Sequence, residues 1–223
     1  MPDEIAAGFS IGGQTTYSML RKLNIQEGNN VLVTAAKSNT SLFAINALRN
    51  YKANVYALST SRQFAEKLRE LGVRQLFQTD PNAESFLANN EINELFKETG
   101  GFHQVIDPFM DLYLKKSLEV MQDFGSYISC GVYDQFSNLI GKVPYYNIHD
   151  WQTSLLLCCT KNLNIIGSCL GLTEDLYKAI DDYNAGSMDV IINSVHTGNQ
   201  VGNFIDRTYN AKDRFGKVIY KYD

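Results

Sequence analysis

Short apolar segments alternate with single helix-like segments along most of the chain, and this order constrains the fold more than any other feature of the sequence. A strand followed by one helix and another strand forms a right-handed crossover between parallel strands. Continued over six predicted strands, the pattern predicts a doubly wound α/β fold, with helices on both faces of a six-stranded parallel sheet. The predicted strands cover residues 31–34, 54–58, 75–77, 103–106, 126–130 and 162–168.

The predicted helices have the apolar spacing of helices that pack on a sheet. They cover residues 41–51, 61–71, 83–97, 112–124, 151–160 and 173–184. The remaining predicted elements are a helix over 15–23 and a tail in which strands 190–195 and 217–222 flank a helical segment at 200–211. We therefore divide the chain into an N-terminal segment with one helix (1–29), the α/β domain (30–188) and a strand–helix–strand tail (189–223).

The composition is that of a globular protein. The 223 residues carry a net charge of −4 and are 44% hydrophobic, which gives no electrostatic reason to expect nucleic acid or an anionic membrane as a partner. The longest apolar run lies around residues 155–159, far short of the roughly 20 residues of a membrane helix. The first residues lack the basic and apolar regions of a signal peptide, so we expect a cytoplasmic protein.

Cysteine and histidine spacing gives no sign of a metal centre. No CxxC pair is present, which argues against a zinc ribbon and a thioredoxin-type motif and favours buried free thiols. The cysteines are Cys130, Cys158, Cys159 and Cys169. The three histidines are expected at unrelated places: His103 at a strand start, His149 in a loop and His196 at a strand end. We predict no metal site in this chain.

The turn after the first strand is the expected ligand-binding element. In a doubly wound sheet, ligands bind at the carboxyl edge of the strands, and this turn usually holds a phosphate. Here it covers residues 35–41 (AAKSNTS) and lacks the glycines that let a backbone approach a diphosphate. Ala35, Ser38 and Ser41 are small enough to preserve some of that closeness. The alternative is a tight polar turn in which Thr40 or Ser41 only caps the next helix.

Two segments carry a resemblance to a known family: residues 9–20 (FSIGGQTTYSML) and residues 27–36 (EGNNVLVTAA). Both resemble the stretch that leads into the cofactor domain of medium-chain dehydrogenases/reductases, the superfamily of zinc-type alcohol dehydrogenases, quinone reductases and enoyl reductases. The resemblance continues, in order and without large gaps, through residues 67–73, 105–108, 162–168 and 215–219. It implies a Rossmann-type fold that binds a nicotinamide dinucleotide for hydride transfer to or from a carbonyl or an activated alkene.

Full-length members of this family carry a GroES-like catalytic domain ahead of the point where this chain begins. The resemblance therefore implies a cofactor-binding part without the family's zinc ligands and without much of the pocket for the substrate, which is an unknown small molecule. A piece of a longer enzyme and a natural short protein both fit, and we favour the first. Because the family's tail strands lie partly against the catalytic domain, we expect that domain or a homodimer partner to cover them.

The end of the second strand indicates the cofactor. NAD binders place a carboxylate there for the ribose hydroxyls, whereas NADP binders offer serine or arginine to the extra phosphate. This chain has Ser59-Thr60-Ser61-Arg62 and no carboxylate before Glu66. We therefore predict that NADP(H) is preferred over NAD(H), with Ser59, Ser61 and Arg62 as ligands. Ser61 also suits the cap of the following helix.

Further cofactor-binding positions are carried over from the family by their place in the sequence. Thr15 is expected on the nicotinamide side, Asp107 near a ribose, Gly131 and Val132 at the carboxamide, and Lys217 at the phosphates. The turn after the first strand supplies Ala36, Ser38, Asn39, Thr40 and Ser41. Asp107 and Lys217 also have plain alternatives, as a turn residue before proline and as a solvated strand charge.

The sequence nominates no catalytic residue. Tyr133, Tyr145 and Tyr146 fall in the stretch that lines the family's active-site cleft, where a tyrosine could donate to an oxyanion. In a chain with 13 tyrosines, packing or interface roles are the better interpretation. Two other functions stay open: a degenerate, non-catalytic nucleotide-binding module for dimerisation or docking and, ranked low, a methyltransferase-like domain for S-adenosylmethionine.

Overall fold

The structure, a computed structural model, describes residues 1–80, 82–132 and 148–222. Its helices are α1 Asp3–Lys22, α2 Asn39–Leu48, α3 Ala65–Glu70, α4 Asn90–Thr99, α5 Met110–Glu119, α6 Ile148–Lys161, α7 Thr173–Asn184 and α8 Val201–Tyr209. Its strands are β1 Asn30–Val33, β2 Asn54–Ser59, β3 Val73–Gln78, β4 Phe102–Asp107, β5 Met121–Ser129, β6 Asn164–Gly167, β7 Ile192–Thr197 and β8 Lys217–Lys221. One-turn 3₁₀ helices follow α2 at Arg49–Tyr51 and precede α4 at Phe86–Ala88.

Strands β1 to β6 run parallel in one sheet, in the order β3-β2-β1-β4-β5-β6. Strand β1 lies at the centre, where Val31 pairs with Val55 on one side and with Gln104 on the other. The strand order reverses between β1 and β4, which confirms the predicted doubly wound, Rossmann-type sheet. Ligands of open α/β sheets bind at this reversal, outside the carboxyl ends of the strands.

Helices cover both faces of the sheet, so the short apolar strands are buried on both sides. One face packs on α1, α2, α3 and α7 through a cluster that includes Phe9, Leu42 and Leu68. The opposite face packs on α4, α5 and α6 and is rich in aromatic rings, with Tyr56 stacked on Phe77 at 5.9 Å between ring centroids. Within the described ranges, no helix is long and apolar enough to span a membrane.

Helix α1 is more than twice as long as the helix predicted over 15–23. The prediction stopped short because glycines weaken a helix in isolation. Packing reverses that preference here, since a Cβ on Gly12 would lie 2.6 Å from the Phe43 ring of α2. The glycine thus lets two helices approach closely. At its other end α1 is joined to α7 by a bidentate ion pair from Arg21 to Asp175, at 2.8 and 3.0 Å.

The tail forms a second, two-stranded parallel sheet in which α8 connects β7 to β8. It packs on the first half of α1, where a Cβ on Gly8 would lie 2.8 Å from Ile192 Cδ1. It also contacts the start of α3, where the rings of Phe64 and Phe215 lie 4.8 Å apart. One side of α8 stays exposed and apolar, at Val201, Ile205 and Tyr209.

The helix predicted over 112–124 was wrong at its end: α5 stops at Glu119 and β5 already begins at Met121. A contact remote in sequence decides this boundary. The amide of Phe102, the first residue of β4, donates to the Val120 carbonyl at 3.0 Å. This bond pairs the residues after α5 with the sheet. Lys161 Nζ then donates to the carbonyls of Glu119 and Met121, at 2.8 and 2.9 Å.

Smaller differences concern helix starts. The helix predicted over 61–71 begins only at Ala65, and the one over 83–97 is divided into a 3₁₀ turn and α4. The backbone of His149 belongs to α6 rather than to a loop, although its side chain lies outside the described residues. Asn89 accounts for the late start of α4, because its side chain accepts from the Ile92 amide at 3.2 Å and caps the helix there.

Gly101 offers a test of the β4–β5 junction. Gly101 and Gly28 both have a positive φ, at 105° and 82°. A Cβ on Gly101 would lie only 2.1 Å from the Val120 carbonyl oxygen, whereas a Cβ on Gly28 would have no atom within 4 Å. Gly101→Ala should therefore lower the free energy of unfolding by about 1–3 kcal/mol more than the control Gly28→Ala. Urea denaturation followed by circular dichroism measures both. Equal losses in the two variants would show that the close approach does not matter.

Candidate functional site

The turn from β1 into α2 lies at the point where the strand order reverses. Ala35 has a φ of 47°, a left-handed conformation that an L-residue adopts at some cost. Ala36 is fully buried, and its amide donates to the Leu58 carbonyl of β2 at 2.9 Å. The chain therefore turns as sharply as a glycine-containing turn would, with a single residue carrying the unusual backbone conformation.

Two serines complete the start of α2. Ser38 precedes the helix and its Oγ accepts from the Ser41 amide at 3.2 Å, so Ser38 is the cap, not Thr40 or Ser41 as the alternative prediction had it. Ser41 is buried, and its Oγ donates to the Thr34 carbonyl at 2.7 Å. Asn39 and Thr40 are the first two residues of α2, so their amides have no hydrogen-bond acceptor within the helix. Backbone amides at a helix start attract anions.

The longer side chains of the turn are held by neighbouring segments. Lys37 Nζ donates to the Lys212 carbonyl of the tail at 3.3 Å. Asn39 Nδ2 lies against α1, only 2.7 Å from where a Cβ on Gly12 would be. The carbonyl of Thr40 accepts from Thr16 of α1 at 3.4 Å. Three elements therefore meet at this turn: α1, α2 and the tail.

The end of β2 carries the residues predicted to select the cofactor. Ser59 is buried and its Oγ accepts from the Ser61 amide at 3.3 Å. The Oγ of Ser61 is itself buried and has no hydrogen-bond partner among the described residues. Ser61 does not cap α3, which begins four residues later at Ala65. Arg62 forms an ion pair with Glu91 in the first turn of α4.

A groove of about 600 Å³ opens beside these residues at the carboxyl ends of β2 and β3. It is lined by Thr60, Arg62, Gln78, Thr79 and Asp80. The amide of Thr79 donates to the Ser59 carbonyl at 2.9 Å, so the two strand ends form one continuous floor. The groove offers a guanidinium and several hydroxyl or amide groups on one wall, and the Asp80 carboxylate on another.

Asp107 has a different role from the one predicted. Its side chain is fully buried at the end of β4 and accepts from Thr34 Oγ1 and Tyr127 Oη, both at 2.6 Å. The amide of Phe109 donates to the same carboxylate at 2.9 Å. A carboxylate used in this way ties β1, β4 and β5 together and has no surface left for a ribose. Sequence reasoning missed Thr34 and Tyr127, because nothing local in either strand indicates a buried polar cluster.

The cluster perturbs the ionisation of Asp107. Burial raises the pKa of its carboxyl from 3.8 to about 6, and the hydrogen bonds from Thr34, Tyr127 and Phe109 oppose that rise. Burial likewise raises the pKa of Tyr127 far above its ordinary value, with the neighbouring carboxylate adding to the effect. Between pH 4 and 6 the folded chain thus holds a proton that the unfolded chain releases.

The other predicted site residues lie on α1, after β5 and on the tail. Thr15 is buried on α1, and Gly131 and Val132 follow β5, where the Gly131 carbonyl accepts from the Met110 amide at 3.1 Å. Lys217 is exposed at the first position of β8. The structure therefore brings residues 35–41, 59–62, Asp107, Gly131 and Val132 to the carboxyl edge of the sheet, and leaves Lys217 on the separate tail sheet. Tyr133, Tyr145 and Tyr146 lie outside the described residues.

In the described part of the chain, no group of three or more histidines, cysteines, aspartates or glutamates could hold a metal ion. The cysteines are free, as predicted, but Cys159 and Cys169 are exposed rather than buried. Burial raises the pKa of the Cys130 thiol to about 11, so it is protonated at neutral pH. His103 accepts from the Asn30 amide at 3.0 Å and stabilises the start of β1.

The Asp107 cluster predicts a pH dependence of stability. Because the pKa of Asp107 is raised in the folded state, the protonated carboxyl contributes to the free energy of unfolding below pH 4. This contribution is lost as the pH rises through 6. Asp107→Asn should remove this loss, so that the free energy of unfolding of the variant, relative to the wild type, increases by about 2 kcal/mol from pH 4 to pH 7. Urea titrations at several pH values measure the difference. The control Asp123→Asn removes an exposed carboxylate of β5, and a pH-independent difference for Asp107→Asn would contradict the prediction.

The chain was compared with protein families, with curated proteins and with solved structures. The family model for zinc-binding dehydrogenases matches residues 40–185, from the first residues of α2 to the end of α7. Comparison with curated proteins gives no match. Among solved structures, a thermostable alcohol dehydrogenase from Pyrobaculum aerophilum is 20% identical with a TM-score of 0.76, over 98% of this chain and 58% of that one.

Two further solved structures have the same fold. An NAD-dependent alcohol dehydrogenase is 20% identical with a TM-score of 0.78, over 99% of this chain and 59% of that one. A crotonyl-CoA carboxylase/reductase, AntE, in complex with NADP is 13% identical with a TM-score of 0.75, over 95% of this chain and 55% of that one. The chain thus spans less than two thirds of each of these proteins. The match of the family model over most of the α/β domain confirms the resemblance noted in the sequence, and the chain belongs to the zinc-binding dehydrogenase family.

Proposed function

We propose that the chain is the cofactor-binding domain of an NADP(H)-dependent oxidoreductase that transfers hydride to or from a carbonyl or an activated alkene. The observation that carries the proposal is the turn after β1. Ala35 keeps a left-handed backbone at φ 47°, and the turn delivers the leading amides of α2 to the carboxyl edge at the strand reversal. A diphosphate fits this arrangement of partial positive charge.

The preference for NADP(H) is supported by the groove at the end of β2. Its lining includes Arg62. Ser61, the residue before Arg62, has a buried hydroxyl that lacks a hydrogen-bond partner among the described residues. Residues 59–62 contain no carboxylate that would accept from a ribose 2′-hydroxyl and repel a 2′-phosphate. The NADP in the structure of AntE and the NAD dependence of the alcohol dehydrogenase show that both cofactors occur among proteins of this fold.

The substrate side of the reaction requires more protein than the described residues supply. Among the described residues, no further strand pairs with the two-stranded parallel sheet of the tail, and such a sheet is normally extended or covered. The exposed apolar side of α8, with Val201, Ile205 and Tyr209, lies on the same unit. We infer that a further domain or a second copy of the chain covers this unit and completes the substrate pocket.

The diphosphate contact is tested by Asn39→Pro. Proline suits the first helical position, and Ser38 already has the extended backbone, φ −70° and ψ 151°, that a residue before proline requires. The change removes one amide from α2 without removing a helical hydrogen bond. We expect the affinities for NADPH and NADH to fall together, by about tenfold or more.

The matched control for this test is Asn39→Ala, which changes the same side chain but keeps the amide. Fluorescence titration with each nucleotide measures the dissociation constants. If Asn39→Pro binds as well as Asn39→Ala, the amide does not contact the diphosphate. If the wild-type chain binds neither nucleotide at millimolar concentration, the alternative function gains support, namely a non-catalytic module for dimerisation or docking.

The cofactor preference is tested by Arg62→Ala. Loss of a charge-assisted bond to the 2′-phosphate should weaken NADPH binding by about 1–3 kcal/mol and leave NADH binding nearly unchanged. Arg69→Ala is the control, because it removes an exposed arginine of α3 that is paired with Glu66. Equal losses for the two nucleotides in Arg62→Ala would refute the assignment of Arg62 to the 2′-phosphate.

A further inference from the structure

The guanidinium assigned to the 2′-phosphate already has an anionic partner within the chain. Arg62 donates to Glu91 Oε2, and the two residues are 29 positions apart in the sequence. We propose that Glu91 is a positioning residue that sets the cofactor preference, because its carboxylate competes with a 2′-phosphorylated ribose for Arg62. This inference rests on the proposed function and adds a specificity-determining residue to it.

Glu91 is held at this place by the local structure of α4. Asn89 caps the helix, and its Nδ2 donates to the Gln78 carbonyl at 2.8 Å, which fixes the start of α4 to the end of β3. Glu91 follows in the first turn of the helix. Since Gln78 and Arg62 both line the groove, the bond from Asn89 to Gln78 and the ion pair with Arg62 place Glu91 next to the groove.

The ion pair between Arg62 and Glu91 is weak enough for a phosphate to displace Glu91. The side chains of Arg62 and Glu91 are 49% and 38% exposed, so water and salt weaken their attraction. Pairs of this kind change an equilibrium constant by no more than about fivefold. A phosphate with about two negative charges binds a guanidinium more strongly than a single carboxylate does, and can displace it. NADH brings no such group and leaves the pair intact.

Ser61 supplies a second observation at the same place. Its hydroxyl is buried next to Arg62 and lacks a partner among the described residues, a state that buried polar groups rarely keep. Phosphate oxygens accept several hydrogen bonds at once. In this conformation the Glu91 carboxylate accepts from Arg62, while the Ser61 hydroxyl has no partner among the described residues.

The experiment is a double-mutant cycle on the full chain with NADPH and NADH as probes. Glu91→Gln should tighten NADPH binding by about two- to fivefold and leave NADH binding unchanged. In the Arg62→Ala background the same change should have no effect on NADPH, because the competition acts through Arg62. Glu91→Asp, which keeps a carboxylate, should bind NADPH less tightly than Glu91→Gln does.

Glu94→Gln is the control for net charge, since it removes an exposed carboxylate from the same helix. The proposal is overturned if Glu91→Gln tightens NADPH binding equally with and without Arg62, or no more than Glu94→Gln does. It is also overturned if NADPH and NADH both bind and Glu91→Gln changes neither. If no variant binds either nucleotide, it is the proposed function that fails. Thermal unfolding of each variant checks that all are folded.

Discussion

A buried carboxylate holds the functional edge of the sheet together. Asp107 accepts from Thr34 on β1 and from Tyr127 on β5, while its own backbone ends β4. The ends of these three strands, which lead into the loops of the candidate site, are thereby fixed to one another. Burial of a charge is unfavourable, and the raised pKa of Asp107 is the sign of that cost. The fold accepts this cost at the place where the strand order reverses.

The turn after β1 depends on that fixed edge. Thr34 donates to Asp107 through its side chain and accepts from Ser41 through its carbonyl, so the carboxylate cluster and the start of α2 share one residue. Ser38 and Ser41 then satisfy groups at the helix start that a glycine-rich turn would leave to a ligand or to water. Only Ala35 needs the left-handed conformation. A turn without glycine can therefore lead directly into α2 and leave the amides of Asn39 and Thr40 without a partner inside the helix.

Charge at the neighbouring strand end is arranged through contacts between elements. Arg62 belongs to the loop after β2, and its partner Glu91 belongs to α4, which packs on the opposite face of the sheet. The local sequence of residues 59–62 predicts a site for a phosphorylated ribose, but the ion pair of Arg62 involves a helix elsewhere in the chain. If Arg62 binds a 2′-phosphate as we propose, cofactor preference depends on both of these elements.

The sequence by itself determined the class of fold, the succession of strands and helices, and the position of the turn after β1, because periodicity and short-range turn chemistry are local properties. The assignment of residues 59–62 to the choice between the two nicotinamide cofactors stays a prediction. Only the tertiary structure decided where α5 ends, how far α1 extends past its glycines, that Asp107 faces inward, and that Arg62 meets Glu91. Each of these depends on contacts between residues distant in sequence, such as Phe102 with Val120 and Gly12 with Phe43. Hydrogen bonding and close packing across elements outweigh local preferences of about 1 kcal/mol per residue, and no local pattern records them.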